Sequence, residues 1–413
     1  MPALIGIVAD DLTGAADTGI AFLSAGLSAL VRLPGAAAGR AWVSLATDVL
    51  AVDTRSRAAG AEYARRITTD VVSAFLGTGV VTLYKKIDST LRGHVGDEVR
   101  AAIEAWHPES LAIVAPAFPD AGRTTVDGRQ YVHGMPLEGP ALVPALFEQA
   151  GISTCRADLA CVRGPALEST LLECRHRGTL AVVCDAETNE DLRAIARAAA
   201  RLAPAIVWVG SGGLARAMAA EVGAAGRRVR PPPTKISGPL LIVVGSRSEV
   251  ARSQADDVAA AGVRRVAVPV GTLAGGSATT GAHRAWHDIA QQIGAHLGAG
   301  DDVLVTVASD HDVHDIDRGA RGQGDDDPRL MSRLGELLRP CEPAAGGLFL
   351  TGGDTAVGVL EAWGTTALGL VEEIDPGVVL SETVGPRAMP VVTKAGSFGD
   401  RGTITRARQR LRT

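Results

Sequence analysis

The segment LIGIVADDLTGAADTGIAFLSAG, residues 4–26, decides the fold of the first half of the chain. Its first six residues are apolar or glycine, and the aspartates Asp10 and Asp11 end the run. A continuous apolar run of this kind is typical of a strand buried on both faces, as in a parallel sheet covered by helices. The stretch from Thr13 to about Gly26 predicts a helix. The segment therefore predicts a strand, a polar turn and a helix in succession, which is the repeating unit of α/β folds.

The same alternation continues along the chain, with helices predicted at Ala58–Phe75, Asp191–Leu202 and Glu249–Ala261. A chain of 413 residues exceeds the size that one compact core usually holds. We therefore predict an α/β fold of two three-layer domains with largely parallel sheets and an active site in the interdomain cleft. Further strands are predicted at Val43–Ala46, Val80–Tyr84, Leu111–Ala115, Leu180–Cys184, Ile206–Val209, Leu240–Val244, Val266–Val268, Val303–Val307, Leu348–Leu350 and Val391–Thr393.

The stretch GRRVRPPPTKISGP, residues 226–239, interrupts this alternation. Its three consecutive prolines fit neither a helix interior nor a central strand. The sequence therefore predicts a linker at residues 229–239 between a domain of residues 1–228 and a domain of residues 240–413. An ordinary surface loop is the alternative.

The composition argues against several classes of partner. The net charge is −5, so no basic field attracts nucleic acid or an anionic membrane, and the basic run Arg401–Arg412 is expected to be a solvated terminal helix. The sequence contains no run of about eighteen apolar residues, so no membrane span is predicted. The N-terminus lacks the basic region of a signal peptide. Five scattered cysteines without C-x-x-C spacing are typical of free thiols in a reducing compartment. We expect a cytoplasmic protein with small-molecule partners and a possible homo-oligomeric state.

The stretch His311–Asp327 is rich in glycine and aspartate, and we expect a loop there. A metal site at His311-x-x-His314 with the nearby aspartates is the alternative. That spacing fits no helix-borne metal motif, so no protein metal ligands are predicted.

Two adjacent carboxylates follow the first predicted strand, in the sequence Asp10-Asp11-Leu12-Thr13-Gly14. Parallel sheets bind ligands at the carboxyl ends of their strands, where loops meet helix N-termini. There, Asp10 and Asp11 could accept hydrogen bonds from the hydroxyls of a polyol, or one of them could take a proton from an attacking hydroxyl. The alternative is that Asp11 or Thr13 only caps the following helix.

A second polar cluster, KKIDSTLRGH at residues 85–94, follows another predicted strand. Arg92 could bind a carboxylate through two parallel hydrogen bonds, and a lysine could act as a compact positive charge. A charged helix start on the surface is the alternative. Such a density of two lysines, an aspartate, two hydroxyls and an arginine nevertheless favours a binding loop.

The third polar loop, residues 116–128, follows the strand predicted at Leu111–Ala115. Its prolines and glycines restrict the backbone, and Asp120, Arg123 and Thr124 supply polar side chains. Because the carboxyl ends of parallel strands meet at one edge of a sheet, the three polar loops could converge on one pocket.

The second half of the chain places glycine-rich loops after three predicted strands: GSRS at residues 245–248, GGDTA at 352–356 and KAGSFGD at 394–400. Glycine lets phosphate oxygens approach the backbone, and N–H groups at helix N-termini bind anions. Three such loops in one domain indicate a nucleotide, although each alone would also fit a tight turn.

Other nucleotide signatures are missing or incomplete. Neither a G-x-x-x-x-G-K-[ST] P-loop nor the protein-kinase motif set occurs in the sequence. GSGGLA at residues 210–215 fits G-x-G-x-x-A after a predicted strand. No acidic residue stands at the end of a following strand about twenty residues later, where it would bind a ribose. We interpret this segment as a packing turn, with a dinucleotide site as the alternative.

Together these motifs resemble the four-carbon acid sugar kinase family, whose members phosphorylate threonate, erythronate or 3-oxo-tetronate with ATP. The resemblance covers nearly the whole chain and rests on the combination of DDLTG, KIDSTLRG and TGGDT. The chain departs from the family in two places. Asp354 stands where the family often has glutamate, which keeps the charge but shortens its reach, and residues 210–215 read GSGGLA instead of GSAGLA.

The resemblance implies a sugar-acid-binding domain at residues 1–228 and a nucleotide-binding domain at residues 240–413. It also implies ATP as phosphoryl donor together with Mg²⁺. Carried over by motif, the nucleotide contacts are Ser246, Ser248, Gly352, Gly353, Asp354, Thr355 and Gly396. The predicted sugar-acid contacts are Asp10, Asp11, Lys86, Asp88, Ser89, Arg92, Asp120 and Arg123.

The catalytic residues of this hypothesis are Asp10, Asp11, Lys86 and Arg92. Arg92 would hold the carboxylate of the acid, Lys86 would neutralise phosphate charge, and Asp10 or Asp11 would orient or deprotonate the attacking hydroxyl. Two other functions stay open at this point. A non-catalytic sugar-acid sensor would not need the phosphate loops, and a dinucleotide-dependent oxidoreductase would depend on residues 210–215.

Overall fold

The computed structural model of the chain describes residues 5–34, 47–138, 142–202, 206–223, 235–274, 280–308 and 329–413. It divides into two compact units, Met1–Arg230 and Pro231–Thr413. The predicted strand at Val43–Ala46, the predicted loop at His311–Asp327 and most of the predicted linker lie outside the described residues.

The first unit is an α/β domain whose described main sheet has the strand order β2-β3-β1-β4-β11-β5-β10-β9, with every pair parallel. Its elements are β1 (Ile5–Ala9), α1 (Leu12–Ser24), β2 (Ala29–Arg32), β3 (Val49–Asp53), α2 (Ala61–Leu76), β4 (Thr82–Lys86), α3 (Val95–Trp106), β5 (Leu111–Ala115), β6 (Arg123–Val126), β7 (Arg129–Val132), β8 (Met135–Pro136), α4 (Val143–Gln149), β9 (Thr154–Ala157), α5 (Leu159–Arg163), α6 (Leu167–His176), β10 (Ala181–Cys184), α7 (Asn189–Ala200), β11 (Ile206–Gly210) and α8 (Gly212–Gly223).

Every residue of β1, β3, β5, β10 and β11 is buried, which explains why these strands are continuous apolar runs in the sequence. Helices α2, α3 and α4 cover one face of the sheet through Phe75, Val99 and Phe147. Helix α1 packs beside α8, and α8 beside α7. The order of the strands reverses at β1, which has β3 on one side and β4 on the other. Such a reversal separates the neighbouring loops at the carboxyl edge and opens a crevice for a ligand.

A small antiparallel sheet, β6-β7-β8, occupies part of the stretch that was predicted to be a loop. Two tight turns connect its strands, Asp127-Gly128 and His133-Gly134, and all four of these residues have positive φ. Two-residue turns with positive φ at both positions match the twist of a β-hairpin. The sequence Asp127-Gly128 is a known signature of this turn, so the hairpin was recognisable.

The second unit is also an α/β domain. Its sheet has the order β13-β14-β12-β15-β18-β17-β16, in which the strands from β13 to β18 are parallel and β17 and β16 are antiparallel. Its elements are β12 (Leu240–Val244), α9 (Glu249–Ala260), β13 (Arg264–Pro269), α10 (Val270–Ala274), α11 (Thr280–Gly298), β14 (Val303–Ala308), α12 (Leu330–Leu338), β15 (Gly347–Thr351), α13 (Gly353–Ala362), β16 (Ala367–Asp375), β17 (Val378–Val384), β18 (Pro390–Lys394) and α14 (Thr403–Arg412).

Strand β12 lies between β14 and β15, so the order of the second sheet reverses there as it does at β1. The predicted terminal helix is α14, but it is solvated on one face only, because its Ile404, Ala407 and Leu411 are buried. The basic residues form only the outer face of that helix.

All five cysteines are free thiols, as expected. Among the described residues, no helix combines the length and apolar character needed to cross a bilayer.

Two glycines of the second unit give a matched stability test. A side chain at Gly358 of α13 would collide with the carbonyl of Met331, whereas a Cβ at Gly294 of α11 would meet no atom within 4 Å. We expect Gly358→Ala to lower the free energy of unfolding by about 1–3 kcal/mol through overpacking. Gly294→Ala should raise it by about 0.5–1 kcal/mol. Thermal denaturation measures both, and equal melting temperatures would contradict the close crossing of α12 and α13.

Candidate active site

The carboxyl ends of β1, β3 and β4 bring three polar loops of the first unit together. Asp11, directly after β1, is the N-cap of α1 and accepts hydrogen bonds from the Gly14 backbone N–H (3.1 Å) and the Thr13 hydroxyl (2.6 Å). The capping interpretation of Asp11 is therefore correct. It is not the whole role of the residue, because the same carboxylate also contacts an arginine from the loop after β3.

That arginine is Arg57, and it connects the three loops. Its Nε donates to Asp10 Oδ2 (2.8 Å), and its Nη2 donates to Asp10 Oδ1 (2.8 Å) and to Asp11 Oδ1 (2.7 Å). The same Nη2 lies 3.6 Å from Asp88 Oδ1. One guanidinium thus neutralises carboxylates from two other strand ends, with the bidentate geometry that makes such pairs strong.

Asp88 also forms a bidentate pair with Arg92, in which Nε and Nη2 of the arginine each lie 2.9 Å from a carboxylate oxygen. The Thr90 hydroxyl and the Thr90 backbone N–H donate to the same carboxylate. The Arg92 side chain is 64% exposed, whereas the Asp88 side chain is only 10% exposed. Arg92 is therefore oriented by a buried partner and keeps much of its guanidinium open to a ligand.

The surrounding charges set the protonation states of these groups. Burial alone would raise the pKa of Asp10, but hydrogen bonding to Arg57 and the charges of Arg57, Lys85 and Lys86 outweigh burial and lower it. The pKa of Asp88 is likewise held well below its usual range, because Arg92 and Arg57 outweigh its burial. Burial alone would lower the pKa of Arg57, but its carboxylate partners outweigh burial and raise it. Asp10, Asp88 and Arg57 are all charged at neutral pH.

Lys86, the last residue of β4, is almost fully buried beside this cluster. A Cβ at Gly14 would lie 3.0 Å from Lys86 Nζ, so the ammonium group faces the first turn of α1. Gly93 permits a second close approach. Its φ is +88°, and a Cβ there would lie 3.0 Å from Asp10 Oδ2. Glycine is required at this position because both the conformation and the space exclude a side chain.

A buried ion pair supports the loop that carries Arg57. Lys85 Nζ lies 2.9 Å from Glu98 Oε2, and both side chains are almost fully buried. The other carboxylate oxygen of Glu98 accepts a hydrogen bond from Ser56, whose hydroxyl lies 2.7 Å from that of Thr54. This chain of contacts links β4, α3 and the loop after β3. Replacing one partner of such a pair leaves an uncompensated buried charge.

Asp53, at the end of β3, differs from its neighbours. It is almost fully buried, and its Oδ2 has no hydrogen-bond partner among the described residues. Burial, reinforced by the charges of Asp11 and Asp10, raises its pKa well above the usual value despite the hydrogen bond from the Arg55 backbone N–H. The cluster therefore contains carboxyl groups whose surroundings shift their pKa values in opposite directions.

The other predicted sugar-acid residues do not all lie near the cluster around Arg57. Ser89 belongs to the loop of Asp88, and Arg123 is close enough for the charges of Asp88 and Arg92 to act on its pKa, which burial lowers. Asp120 is exposed and accepts a hydrogen bond from Asn189 Nδ2 (2.7 Å). The structure thus brings Arg123 towards the cluster but pairs Asp120 with the start of α7, so a sugar-acid role for Asp120 has no support from its contacts.

The N-terminus of α8 does not offer a dinucleotide site. A side chain at Gly212 would collide with the carboxylate of Asp17 and approach the ring of Phe118. Asp17 also lies 3.5 Å from Arg216 as an ion pair. A pyrophosphate would need the place next to the helix N-terminus that this carboxylate occupies. Residues 210–215 are therefore a packing turn.

In the second unit, the glycine-rich loops after β12, β15 and β18 are hydrogen-bonded to one another. Ser248 caps α9 and donates from its hydroxyl to the carbonyl of Gly396 (2.7 Å). The Gly352 N–H donates to the carbonyl of Lys394 (2.9 Å), with Gly352 in a positive-φ conformation of 99°. These contacts bring Ser246, Ser248, Gly352, Gly353, Asp354, Thr355 and Gly396 to one edge of the second sheet.

The helices that follow these loops suit an anion. Asp354 is exposed in the first turn of α13, and Thr355 behind it is buried. A Cβ at Gly245 would collide with the Thr355 hydroxyl, and a Cβ at Gly396 would collide with that of Ser246. The backbones of the three loops therefore approach one another closely around the N-termini of α9 and α13, where N–H groups can bind phosphate oxygens.

Lys394, at the end of β18, is fully buried, and its Nζ donates to the carbonyl of Gly396 (3.3 Å). Burial lowers its pKa to about 8. None of the ion pairs among the described residues neutralises it. Lys394 is therefore a buried lysine of lowered pKa beside a glycine-rich loop. It was not among the predicted site residues.

Arg57 was also not among the predicted site residues. We predicted a strand at Val43–Ala46, so the apolar run Val49–Asp53 and the polar segment TRSR that follows it were not recognised as another strand end. The pattern of an apolar run ending in charged residues is the same as at Asp10. It could therefore have identified Arg57.

Two family models match the chain. The model described as a sugar-binding N-terminal domain matches residues 5–218, and the model described as a nucleotide-binding C-terminal domain matches residues 241–404. A D-threonate kinase of Cupriavidus necator is 39% identical, over 98% of this chain and 97% of its own. A D-threonate kinase of Bordetella bronchiseptica is 36% identical over 99% and 97%, and a D-erythronate kinase of Heliobacterium modesticaldum is 29% identical over 95% and 94%.

A solved structure from Salmonella typhimurium LT2 has the same fold. Its TM-score is 0.80, and the alignment covers 98% of this chain and 98% of that one. The two sequences are 20% identical, so this likeness supports the two-domain α/β architecture and nothing more specific.

Lys394 gives a pH-dependent test of the second unit. Its pKa is about 8 in the folded protein and near 10.5 when exposed, so below pH 8 the whole cost of burying its charge is present. As the pH rises from about 8 to 10.5, the folded protein loses this proton first and gains stability from this group. Lys394→Met should therefore be more stable than wild type at pH 7, by about 3 kcal/mol. Chemical denaturation should show that this advantage shrinks above pH 8, and a constant difference would contradict the buried charge.

Proposed function

The chain belongs to the four-carbon acid sugar kinase family, and we propose that D-threonate is the acid that it phosphorylates. It is an enzyme, a kinase that transfers a phosphoryl group from a nucleotide to a four-carbon sugar acid. The expected kinase activity is thereby confirmed. The non-catalytic sensor and the dinucleotide-dependent oxidoreductase are rejected.

The choice of D-threonate rests on the order of the sequence identities between this chain and its relatives. Three D-threonate kinases reach 39%, 36% and 32%, whereas the D-erythronate kinase reaches 29% over a similar length. Threonate and erythronate differ at one stereocentre, so a few side-chain contacts must distinguish them. Identity across the whole chain is the best available measure of whether those contacts are shared.

We assign the sugar acid to the cluster around Arg57 in the first unit. A four-carbon sugar acid has one carboxylate and several hydroxyls. Arg92, with its exposed guanidinium, is suited to the carboxylate, and the carboxyl oxygens of Asp10 and Asp11 are suited to accept hydrogen bonds from hydroxyls. Arg57 lets these acidic groups coexist with an anionic substrate because it neutralises them.

The attacking hydroxyl would be oriented by Asp10 or Asp11. Phosphoryl transfer depends more on position and charge neutralisation than on a strong base, so a carboxylate of lowered pKa is sufficient to align the hydroxyl and accept its proton late in the reaction. Asp11 is the more exposed of the two, with 17% of its side chain accessible against 2% for Asp10. Lys86 would neutralise charge on the transferred phosphoryl group.

We assign the nucleotide phosphates to the loops that contain Ser248, Gly352 and Gly396. A Mg²⁺ ion that accompanies such a nucleotide would take only one or two protein carboxylates. Asp354 fits that role, because it is exposed beside these loops. Asp354 would hold the ion, which would supply charge neutralisation. A cytoplasmic location and homo-oligomerisation stay predictions.

The first test is ADP release with ATP, Mg²⁺ and a panel of D-threonate, L-threonate, D-erythronate and 3-oxo-tetronate. The order of sequence identity predicts the highest kcat/KM with D-threonate. A higher kcat/KM with D-erythronate would contradict the proposed substrate but leave the kinase activity intact. Turnover of none of the four acids would contradict the proposal itself.

The second test replaces each aspartate of the pair. Removing a general base costs on the order of 10²–10⁴ in turnover, so one of Asp10→Asn and Asp11→Asn should lose kcat to this extent while its KM for ATP stays near wild type. Asp70→Asn is the matched control, because Asp70 is an exposed aspartate on α2. Near-normal kcat in both Asp10→Asn and Asp11→Asn would show that neither residue is the base.

A further inference from the structure

The hairpin formed by β6 and β7 contacts the loop of Asp88 through one buried side chain. Gln130 on β7 is almost fully buried, and its Nε2 donates to the carbonyl oxygen of Ser89 (2.8 Å). Ser89 follows Asp88 directly and precedes the turn that leads to Arg92. Gln130 therefore holds the backbone of the loop between Asp88 and Arg92.

Thr125 supports the orientation of this amide. Its hydroxyl donates to Gln130 Oε1 (2.7 Å), and Thr125 itself is fully buried. Backbone hydrogen bonds with Ala186 hold Thr125 in both directions, at 2.8 and 2.9 Å. The Ser89 carbonyl can only accept, so the amide nitrogen faces Ser89, and the amide oxygen faces the hydroxyl, which donates to it. Thr125 thus satisfies the amide oxygen while the amide nitrogen donates to Ser89.

The turn of the hairpin is anchored to the main sheet. Asp185, at the end of β10, accepts hydrogen bonds from the backbone N–H groups of Asp127 and Gly128, both at 2.9 Å. Arg156 of β9 lies 2.7 Å from Asp127 and 3.3 Å from Asp185. The hairpin is therefore fixed at its turn and can hold Ser89 in a defined place.

The loop of Asp88 needs such support. Leu91 has a φ of +59°, a left-handed conformation that is unfavourable for residues other than glycine. Strained backbone of this kind persists only where its surroundings determine it. The Asp88 carboxylate holds the loop through Thr90 and Arg92, and Gln130 holds it through the Ser89 carbonyl.

We propose that Gln130 is a positioning residue for the sugar acid: through the Ser89 carbonyl it sets the loop from which Arg92 meets the substrate. This proposal rests on the proposed function, since Ser89 and Arg92 are assigned there to the acid. Gln130 does not touch the substrate, and its loss should weaken acid binding without changing the nucleotide loops of the second unit.

Steady-state kinetics with D-threonate and ATP test this proposal. Gln130→Met keeps the size of the side chain and removes the donor, so the KM for the acid should rise about tenfold while the KM for ATP stays within about twofold. Thr125→Val frees the amide to rotate and should raise the KM for the acid less. Thr125→Ser keeps the hydroxyl and should behave as wild type. The double variant should be no worse than Gln130→Met, because both changes act on one hydrogen bond.

Met135→Ala is the control on the same small sheet, since Met135 is 70% exposed and should leave both KM values unchanged. An unchanged KM for the acid in Gln130→Met, or equal rises in both KM values, would overturn the positioning role.

Hydrogen exchange gives a readout that does not need turnover. The amides of residues 89–93 should exchange faster in Gln130→Met, and those of the second unit should not. If wild type phosphorylates no acid, the proposed function fails, and unchanged exchange at residues 89–93 would separately refute the contact.

Discussion

The bidentate contact between Arg57 and Asp10 is the interaction on which the rest of the first unit's site depends. Asp10, Asp11 and Asp88 come from the ends of two strands, and each is drawn into the same small volume by the fold. Two like charges about 4 Å apart repel by about 4 kcal/mol at the effective dielectric constant of a protein surface. Arg57 neutralises Asp10 and Asp11 together, and an acidic cluster can then receive an acidic substrate.

A reversal of strand order underlies the polar loops of each unit. In each unit the strand order reverses at the first strand, at β1 in one and at β12 in the other, and the polar loops follow that strand and its neighbours. The side chains on these loops differ according to what must be bound. Carboxylates and arginines occupy the loops of the first unit, whereas glycines and serines occupy those of the second, where backbone N–H groups are suited to bind phosphate.

Much of this was accessible from the sequence. Strands buried on both faces have an unambiguous pattern, so Leu111–Ala115 and Leu240–Val244 were predicted with correct bounds, and the motif loops after β1, β4, β12, β15 and β18 were recognised. The hairpin β16–β17 was missed because six of the nine residues of β16 are only partly buried and three of these are acidic. Arg57 was missed because the strand end before it was not recognised. Gln130 was missed for a different reason, since its role arises from a contact with Ser89 across 41 residues of sequence, which no local pattern encodes.

The central claim is that one arginine makes an acidic cluster able to bind an acid, and calorimetric titration of Arg57→Met with D-threonate and with ADP tests it most directly. Loss of Arg57 leaves Asp10 and Asp11 uncompensated next to the place assigned to the substrate carboxylate. The account predicts that D-threonate no longer binds measurably while the affinity for ADP stays within about twofold of wild type, which shows that the protein is folded. Wild-type affinity for D-threonate in this variant would contradict the account.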